Sequence, residues 1–223
     1  MANRPIFLST NNPKKLFEEK NIEFKFYTGF SLSQKSKSIQ SLHRSAKKEG
    51  IDNILEVSTK SDSKIGWDLS AFNLMVDFND SKQISVECAF QGSKVFESNI
   101  QYKDIYFKQS IEAKKDLRLK SSGNIIGFNF RDEFWSNEPK TAFYDWIYIN
   151  ALYKQPNITK ELLNYSVFSD IEFNPKRSIN CQARTCAIFV SLVRLGLIDE
   201  ALSCKDRFIE VVYPNSLIQG VLF

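Results

Sequence analysis

Three polar side chains with complementary chemistry recur at helical spacing in the stretch ISVECAFQGSKVFES, residues 84–98. Glu87, Gln91 and Lys94 follow one another at intervals of four and three residues, so a helix would place them on one face. This spacing is also that of an ordinary solvated stripe with helical Glu–Lys pairing. Apolar neighbours such as Phe90 indicate that the stripe borders a cleft, where a carboxylate can have a raised pKa and act as a general acid or base.

Two further stretches hold residues whose types could contact a nucleotide. In IGWDLSAFNL, Trp67 and Phe72 flank a polar turn that contains Ser70. Such a pair either plugs into the core or clamps a base, where stacking contributes ~1–3 kcal/mol per base. In SDIEFNPKRSINCQAR, Asp170 precedes a polar loop, and Asn180 is a natural N-cap for the apolar helix that follows. Capping alone would explain Asn180, but a helix start also forms an anion site suited to a phosphate or pyrophosphate.

The composition excludes several classes of protein. The chain has 223 residues, of which 43% are hydrophobic and 25% charged, values typical of a globular domain. No apolar run approaches the ~18–20 residues that a membrane helix needs, and the N-terminus lacks a hydrophobic signal core, so we expect a cytoplasmic protein. The four cysteines form no Cys-x-x-Cys pair and His43 is the only histidine, so we expect reduced, structural thiols and no metal site.

Positive charge is concentrated near the N-terminus. Residues 1–64 contain 12 Lys or Arg and 7 Asp or Glu, whereas the rest of the chain is close to balance. The excess clusters in SQKSKSIQSLHRSAKKEG, which is either a solvated helix face or a patch that tracks the phosphates of a nucleic acid. Charge alone does not separate these interpretations. The residues that would contact nucleic acid are Lys35, Lys37, Arg44, Lys47 and Lys48.

Hydrophobic periodicity predicts strands in the first part of the chain and mainly helices afterwards. Alternation predicts a hairpin in LMVDFNDSKQISVE, followed by a helix over 86–96. We also expect helices over 14–20 and 110–122, and a last strand over 207–214. This order favours an α+β fold, a mainly helical single domain with a small antiparallel sheet. No Gly-rich dinucleotide fingerprint or phosphate-loop pattern is present.

The order of these stretches resembles that of the NADAR superfamily. LSAF takes the place of the family's fSNF turn, and VECAFQGSK matches its SEhyFQa-K motif at Glu87, Phe90, Gln91 and Lys94. EAKKDLR corresponds to the A---gR helix, with Arg118 as the arginine. FWSNEPKTAFYDWIYINALYK fills the place of the Trp-containing helix, and FSDIEFNPKRSINCQAR that of the last segment.

The resemblance covers residues 54–195, which we expect to be the common core of a single domain spanning 1–223. Residues 1–53 form an extension similar to that of NADAR proteins that accompany DarT-type toxins as antitoxins. The resemblance implies an ADP-ribosyl hydrolase that removes ADP-ribose from guanine bases of nucleic acid by N-glycosidic cleavage. ADP-ribosylated DNA would be the substrate, ADP-ribose the product and the DarT-type toxin the functional partner, with no cofactor and no membrane. Two alternatives stay open: an N-glycosidase of a small phosphorylated riboside, or a non-catalytic antitoxin that binds its toxin.

The resemblance also implies roles for individual residues. Breaking a C1–N bond develops positive charge on the ribose and negative charge on the leaving nitrogen. A carboxylate such as Glu87 can stabilise the first, and its acid form can protonate the second. A desolvated amine, Lys94 or Lys60, could instead attack C1 and form an imine. The expected catalytic residues are Glu87, Lys94 and Asp170. The expected ligand contacts are Ser58, Lys60, Trp67, Ser70, Phe72, Phe90, Gln91, Arg118 and Asn180.

Overall fold

The chain folds into three small sheets packed against helices in a computed structural model that describes residues 1–29, 31–79 and 82–214. The strands are β1 (Ala2–Ser9), β2 (Phe17–Phe24), β3 (Ile54–Glu56), β4 (Met75–Asn79), β5 (Lys82–Ser85), β6 (Lys94–Phe96), β7 (Ile100–Gln101), β8 (Ile125–Phe130), β9 (Glu133–Ser136) and β10 (Val167–Ser169). The α+β prediction is therefore confirmed.

The helices lie mainly in the second half of the chain, as the periodicity predicts. They are α1 (Leu32–Lys48), α2 (Lys64–Asp68), α3 (Val86–Gly92), α4 (Ser110–Lys115), α5 (Arg118–Ser121), α6 (Ala142–Tyr153), α7 (Pro156–Leu162), α8 (Gln182–Arg194), α9 (Ile198–Leu202) and α10 (Lys205–Val212). None of the helices in the described residues is both long and apolar enough to cross a membrane.

The N-terminal segment contributes β1 and β2 to a mixed sheet with the strand order β2-β1-β10-β3. β1 is antiparallel to both β2 and β10, and β3 is parallel to β10. The prediction of a helix over 14–20 is wrong. Most of this stretch belongs to β2, which pairs with β1 along its whole length. Burial of Ile22 and Phe24 in this pairing outweighs the local helix preference of the Lys- and Glu-rich stretch.

The predicted hairpin is confirmed by β4 and β5, which pair from Met75 opposite Ser85 to Asn79 opposite Lys82. Its tip, residues 80 and 81, lies outside the described residues. α3 begins immediately after β5, so the hairpin fixes where this helix starts.

α3 is shorter than the helix expected over 86–96. It ends at Gly92, and Lys94 begins β6, where it pairs with Phe128 of β8. This strand pairing extends the backbone after Gly92 and makes the last part of the helix prediction wrong. Lys94 and Glu87 therefore do not share a helix face, although they are close enough to interact electrostatically.

Two other expected elements also differ. The helix predicted over 110–122 is divided into α4 and α5, because the Asp116 carboxylate accepts the Arg118 backbone N–H (3.0 Å) and favours a turn. The strand expected over 207–214 is helical as α10. Burial of Phe208 in the core favours an amphipathic helix there over the β-propensity of the neighbouring valines.

The core is built around α6 and α8, both buried along most of their length. Phe143 of α6 stacks on Phe128 of β8 with ring centroids 4.8 Å apart. Phe90 of α3 joins the same cluster, 5.3 Å from Phe128. The aromatic excess in the composition is thus used to fix α3 against the sheet and α6, which positions the polar residues of α3.

Packing between α2 and β3 gives a direct test of this arrangement. An added Cβ at Gly66 of α2 would lie 2.0 Å from the Glu56 backbone oxygen. Gly66→Ala should therefore destabilise the protein by about 1–3 kcal/mol through overpacking, despite the better helix propensity of alanine. Urea unfolding should show a lower midpoint with an unchanged slope. Lys64→Ala, an exposed change in the same helix, is the control, and equal midpoints for the two variants would contradict the packing.

Candidate active site

α3 holds Glu87 in its first turn, where its side chain lines a cleft. The Ser85 hydroxyl caps the helix by accepting the Cys88 backbone N–H (3.1 Å), and the Glu87 backbone N–H donates to the Ala71 carbonyl (2.8 Å). These two hydrogen bonds fix the first turn of α3 relative to the loop after α2. The Glu87 side chain is 7% exposed, so the sequence-based picture of a solvated stripe is wrong for this residue.

The cleft has a volume of about 890 Å³, within the usual range for small-molecule sites. It is lined by α3, the segments that follow β3 and β10, the start of α8 and lysines from the α4–α5 region. Most of the residues predicted to be catalytic or to contact ligand line it. They are Ser58, Lys60, Ser70, Phe72, Glu87, Phe90, Gln91, Asp170 and Asn180.

Burial dominates the electrostatics of Glu87. Loss of solvent raises the pKa of its carboxyl, and this effect is opposed by the charge of Lys114, by a hydrogen bond from Gln91 and by the charge of Lys94. The Gln91 amide donates to Glu87 Oε1 at 2.8 Å. A carboxyl with a raised pKa keeps its proton at higher pH, which suits a general acid.

Lys94 lies beside this carboxyl but lines an adjoining cleft rather than the first one. Its ammonium is 5.0 Å from the centroid of the Phe90 ring. Burial lowers the pKa of Lys94, and the Glu87 carboxylate partly offsets that effect. Lowering of the pKa increases the fraction of neutral amine, the form that can act as a nucleophile.

Asp170 stands at the end of β10 next to a second buried carboxyl, Glu56. Burial raises the pKa of Asp170, and the nearby Glu56 charge raises it further. Asp170 Oδ1 accepts the backbone N–H groups of Glu172 (3.0 Å) and Phe173 (3.2 Å), which hold its orientation. Two carboxyls that face the same cleft, Glu87 and Asp170, thus both favour the protonated form relative to exposed acids.

Glu56 was not among the expected site residues, yet it organises the floor of the cleft. Its carboxylate accepts hydrogen bonds from the Ser58 hydroxyl (2.7 Å), the Ser169 hydroxyl (2.6 Å) and the Ile171 backbone N–H (2.8 Å). The network continues to His43 of α1, whose Nε2 lies 2.8 Å from Ser169 Oγ. Burial raises the pKa of Glu56 and lowers the pKa of His43 to about 4, which favours a neutral imidazole.

Two predicted ligand contacts lie outside the cleft. Trp67 is 44% exposed, and its ring faces the Lys64 ammonium at 5.4 Å instead of the cleft. The Arg118 guanidinium is held by Asp104 (2.6 Å) and Asp116 (2.7 Å). Both ion pairs raise the pKa of Arg118, so this arginine is used to fix the turn between α4 and α5.

Asn180 lines the cleft, but it does not cap α8. The N-cap residue is Cys181, and no side chain caps the helix. Asn180 Oδ1 is buried without a hydrogen-bond partner in the described part of the chain. The side chain of Gln182 connects this helix start to the cleft wall by accepting the Ala71 backbone N–H (2.9 Å) and donating to the Val57 carbonyl (2.6 Å).

Sequence reasoning missed the lysines and the tyrosine that complete the cleft. Lys114, Lys115 and Lys120 line it, and the Lys114 ammonium lies 5.1 Å from the Phe72 ring centroid. In the sequence, the Lys114–Lys115 pair close to Arg118 was the feature that could have indicated these lysines. Tyr144 of α6 also lines the cleft. Burial raises the pKa of its hydroxyl, and the charges of Glu87 and Asp170 add to this effect, which places Tyr144 within electrostatic reach of both carboxyls.

The N-terminal basic residues divide into two groups. Lys35 pairs with Glu172 at 2.7 Å and lines the cleft that adjoins the first one. Lys37, Arg44 and Lys48 are exposed and fall at intervals of seven and four residues, so they share one face of α1. Lys47 is exposed too, at the C-terminal end of the helix where its charge is favourable. Among the described residues, no group of three or more His, Cys, Asp and Glu side chains could hold a metal ion.

The fold and the cleft define a class of protein: an α+β domain whose cleft combines buried carboxyls with several lysines. A model of the family described as DarT1-associated NADAR antitoxin matches residues 2–219. The chain therefore belongs to this family, and the resemblance inferred from the motifs is confirmed. The family assigns the chain an antitoxin role in association with a DarT toxin. No curated relative matches the chain.

The raised pKa of Asp170 predicts a specific pH dependence of stability. In the window above its ordinary pKa of 3.8 and below the raised one, the folded state binds a proton that the unfolded state has lost. The free energy of unfolding should fall as pH rises through that window, by at most about 1.4 kcal/mol per pH unit. Asp170→Asn keeps the acceptor Oδ1 and removes the titration, so its stability should fall less steeply.

The test is urea unfolding at several pH values for the wild type and Asp170→Asn. Exposed Asp52→Asn is the matched control, because it makes the same chemical change away from the cleft. Parallel pH profiles for the wild type and Asp170→Asn would rule out a raised pKa at Asp170.

Proposed function

We propose that the protein is an ADP-ribosyl hydrolase that removes ADP-ribose from guanine bases of nucleic acid by N-glycosidic cleavage. In this role it reverses the modification made by a DarT-type toxin. The observation that carries the proposal is the buried carboxyl of Glu87, which faces a cleft with several lysines. Membership of the antitoxin family supplies the biological context.

The size and charge of the cleft suit an ADP-ribosyl group. Four lysines, Lys60, Lys114, Lys115 and Lys120, line it and can bind a pyrophosphate as point charges. Phe72 and Phe173 supply aromatic surface for the adenine or a ribose. The carboxyls lie deeper, where C1 of the distal ribose would be placed.

Cleavage of the C1–N bond needs a proton for the leaving guanine nitrogen and stabilisation of positive charge on the ribose. Glu87 provides the proton in its acid form, because burial raises its pKa. After donation its carboxylate remains beside the oxocarbenium-like ribose and stabilises it in a site with little water. Tyr144 lines the same cleft, within electrostatic reach of both Glu87 and Asp170.

Asp170 is placed to assist the second half of the reaction. Its backbone hydrogen bonds fix one oxygen and leave the other for a ligand or water. In its ionised form it can accept a proton from the water that attacks C1, the role of a general base. Glu56 holds the same strand end in place without facing the ligand itself.

Lys94 offers a different route to the same products. A neutral amine could attack C1 of the ring-opened sugar, displace the guanine amino nitrogen and form an imine that water then hydrolyses. Its lowered pKa and its position beside Glu87 support this route. The two routes differ in whether a covalent intermediate exists, which can be tested directly.

Glu87→Gln tests the central assignment. The change keeps the shape and the contact with Gln91 but removes the titrating proton, so hydrolysis of an ADP-ribosylated guanine oligonucleotide should fall by about 10²–10⁴. Binding of free ADP-ribose should persist. Stability at neutral pH should be retained or increase, because a buried ionisable group is replaced by a neutral one. Mass analysis of the products and isothermal calorimetry give the two measurements.

Exposed Glu161→Gln makes the same chemical change on α7, away from the cleft, and should retain wild-type turnover. Turnover by Glu87→Gln within a few-fold of the wild type would show that Glu87 is not the acid. Turnover on a small phosphorylated riboside, with none on the oligonucleotide, would favour the small-molecule alternative. Tight toxin binding with no turnover of either substrate would favour a non-catalytic antitoxin.

Borohydride reduction during turnover distinguishes the imine route from direct attack by water. If Lys94 is the nucleophile, reduction should attach ADP-ribose covalently to the protein, and peptide mapping should place the adduct at Lys94. Lys94→Ala should abolish the adduct, whereas Lys60→Ala should leave it. Full turnover with no trapped adduct would assign the reaction to direct attack by water.

A further inference from the structure

A second cleft, with a volume of about 520 Å³, adjoins the first, and different parts of the chain form its walls. The N-terminal segment supplies part of its wall through Arg4 of β1, Phe26 after β2 and Lys35 of α1. The remaining wall comes from the α3–β6 junction, the α4–α5 region and the loop after β10. Its six cations are Arg4, Lys35, Lys94, Lys114, Lys120 and Arg177.

Most of the basic side chains of this second cleft form no ion pair with another described residue. Its two acids are already paired, Glu172 with Lys35 (2.7 Å) and Asp116 with Lys108 and Arg118 (2.7 Å each). No ion pair joins any of the other five cations of the cleft to a carboxylate in the described ranges. An anionic ligand is therefore the natural occupant, since like charges gathered around a cleft repel one another until a counter-charge binds.

The second cleft shares part of its lining with the first. Residues from α3, the α4–α5 region and the loop after β10 line both clefts, among them Gln91, Lys114 and Lys120. The first cleft already provides the volume and the lysines that an ADP-ribosyl group needs. The second is therefore available for the part of the substrate on the other side of the scissile bond.

Two details fit a nucleic-acid strand in particular. Phe26 is half-buried in the wall and offers a ring surface on which a base can stack. Arg4 Nε is buried and has no hydrogen-bond partner in the described part of the chain, so a donor beside the cleft is unused. A groove with cations and an aromatic ring is the usual arrangement for binding a single strand without sequence readout.

We propose that the second cleft binds the sugar–phosphate strand that flanks the modified guanine. The inference rests on the proposed hydrolase function and names the part of the substrate that this cleft recognises. The pyrophosphate of ADP-ribose is the other phosphate of the substrate, and the first cleft has Lys60 and Lys115, which do not line the second, for that group. The cleft then makes the enzyme prefer ADP-ribose linked to a strand over ADP-ribose linked to a lone nucleoside.

Arg177→Ala provides the test, with Lys176→Ala as the matched control. Arg177 lines the second cleft and is exposed, whereas its neighbour Lys176 is exposed and lines neither cleft. Hydrolysis is measured on a short oligonucleotide with one ADP-ribosylated guanine and on the corresponding ADP-ribosylated nucleoside. Arg177→Ala should lower the ratio of kcat/KM for oligonucleotide to nucleoside about tenfold, the effect of one lost charge-assisted contact. Lys176→Ala should keep the wild-type ratio.

Binding gives a second measurement that does not need turnover. With the oligonucleotide bound to the full chain carrying Glu87→Gln, adding Arg177→Ala should reduce the slope of log K against log salt by about one. Equal losses on both substrates would assign the cleft to the pyrophosphate and overturn the inference, as would no loss on either. If the wild type hydrolyses neither substrate, the hydrolase proposal fails. The strand-binding inference is tested independently by the binding measurement, and an unchanged salt slope would overturn it.

Discussion

The buried carboxylate of Glu56 is the constraint on which the site depends. It accepts hydrogen bonds from the Ser58 and Ser169 hydroxyls and from the Ile171 backbone N–H, and so joins the ends of two strands that are far apart in sequence. Without these donors, a buried carboxylate would lower the free energy of unfolding by several kcal/mol. Because β3 and β10 are parallel, their C-terminal ends meet at one edge of the sheet, where Ser58 and Asp170 then lie together. Burial raises the pKa of Asp170 and the Glu56 charge raises it further, so one group holds the second acid in position and adds to the effect of burial on its protonation.

The first cleft separates its charges by depth. Two carboxyls that line it, Glu87 and Asp170, are buried and have raised pKa values, whereas Glu172, which pairs with Lys35, is exposed. The cleft lysines Lys114, Lys115 and Lys120 are exposed as well. A ligand with phosphates at one end and a ribose at the other matches this order. Burying two acids destabilises the fold at neutral pH, and the aromatic packing of α3 against β8 and α6 offsets that cost. A structure under selection for stability alone would have replaced these acids with apolar residues.

The sequence was informative where chemistry and local structure coincided. The Glu87 motif lies in a short capped helix after a hairpin, so periodicity and turn signals were enough to predict its start and the placement of Gln91. The prediction that Lys94 shares a helix with Glu87 is wrong, because strand pairing with β8, a non-local interaction, ends the helix. Arg118 was expected among the ligand contacts, but its guanidinium is held by the neighbouring Asp116 and by Asp104, a non-local partner that the motif does not indicate. Glu56 went unnoticed for the same reason, since its donors come mainly from a strand over 100 residues later.

The N-terminal segment is part of the sheet that positions the site. β1 is the central partner of both β2 and β10, with Ile6 opposite Ser169, so the strand that precedes Asp170 depends on it for half of its backbone pairing. Arg4 lies two residues before Ile6 in β1, next to the chain that leaves β10, and this explains how it reaches the second cleft. An antitoxin that acts on a modified strand has to bind both the modification and the polymer. In the proposed function, adding strands to the sheet that positions Asp170 would bring the polymer contacts next to the reacting bond without a separate binding domain.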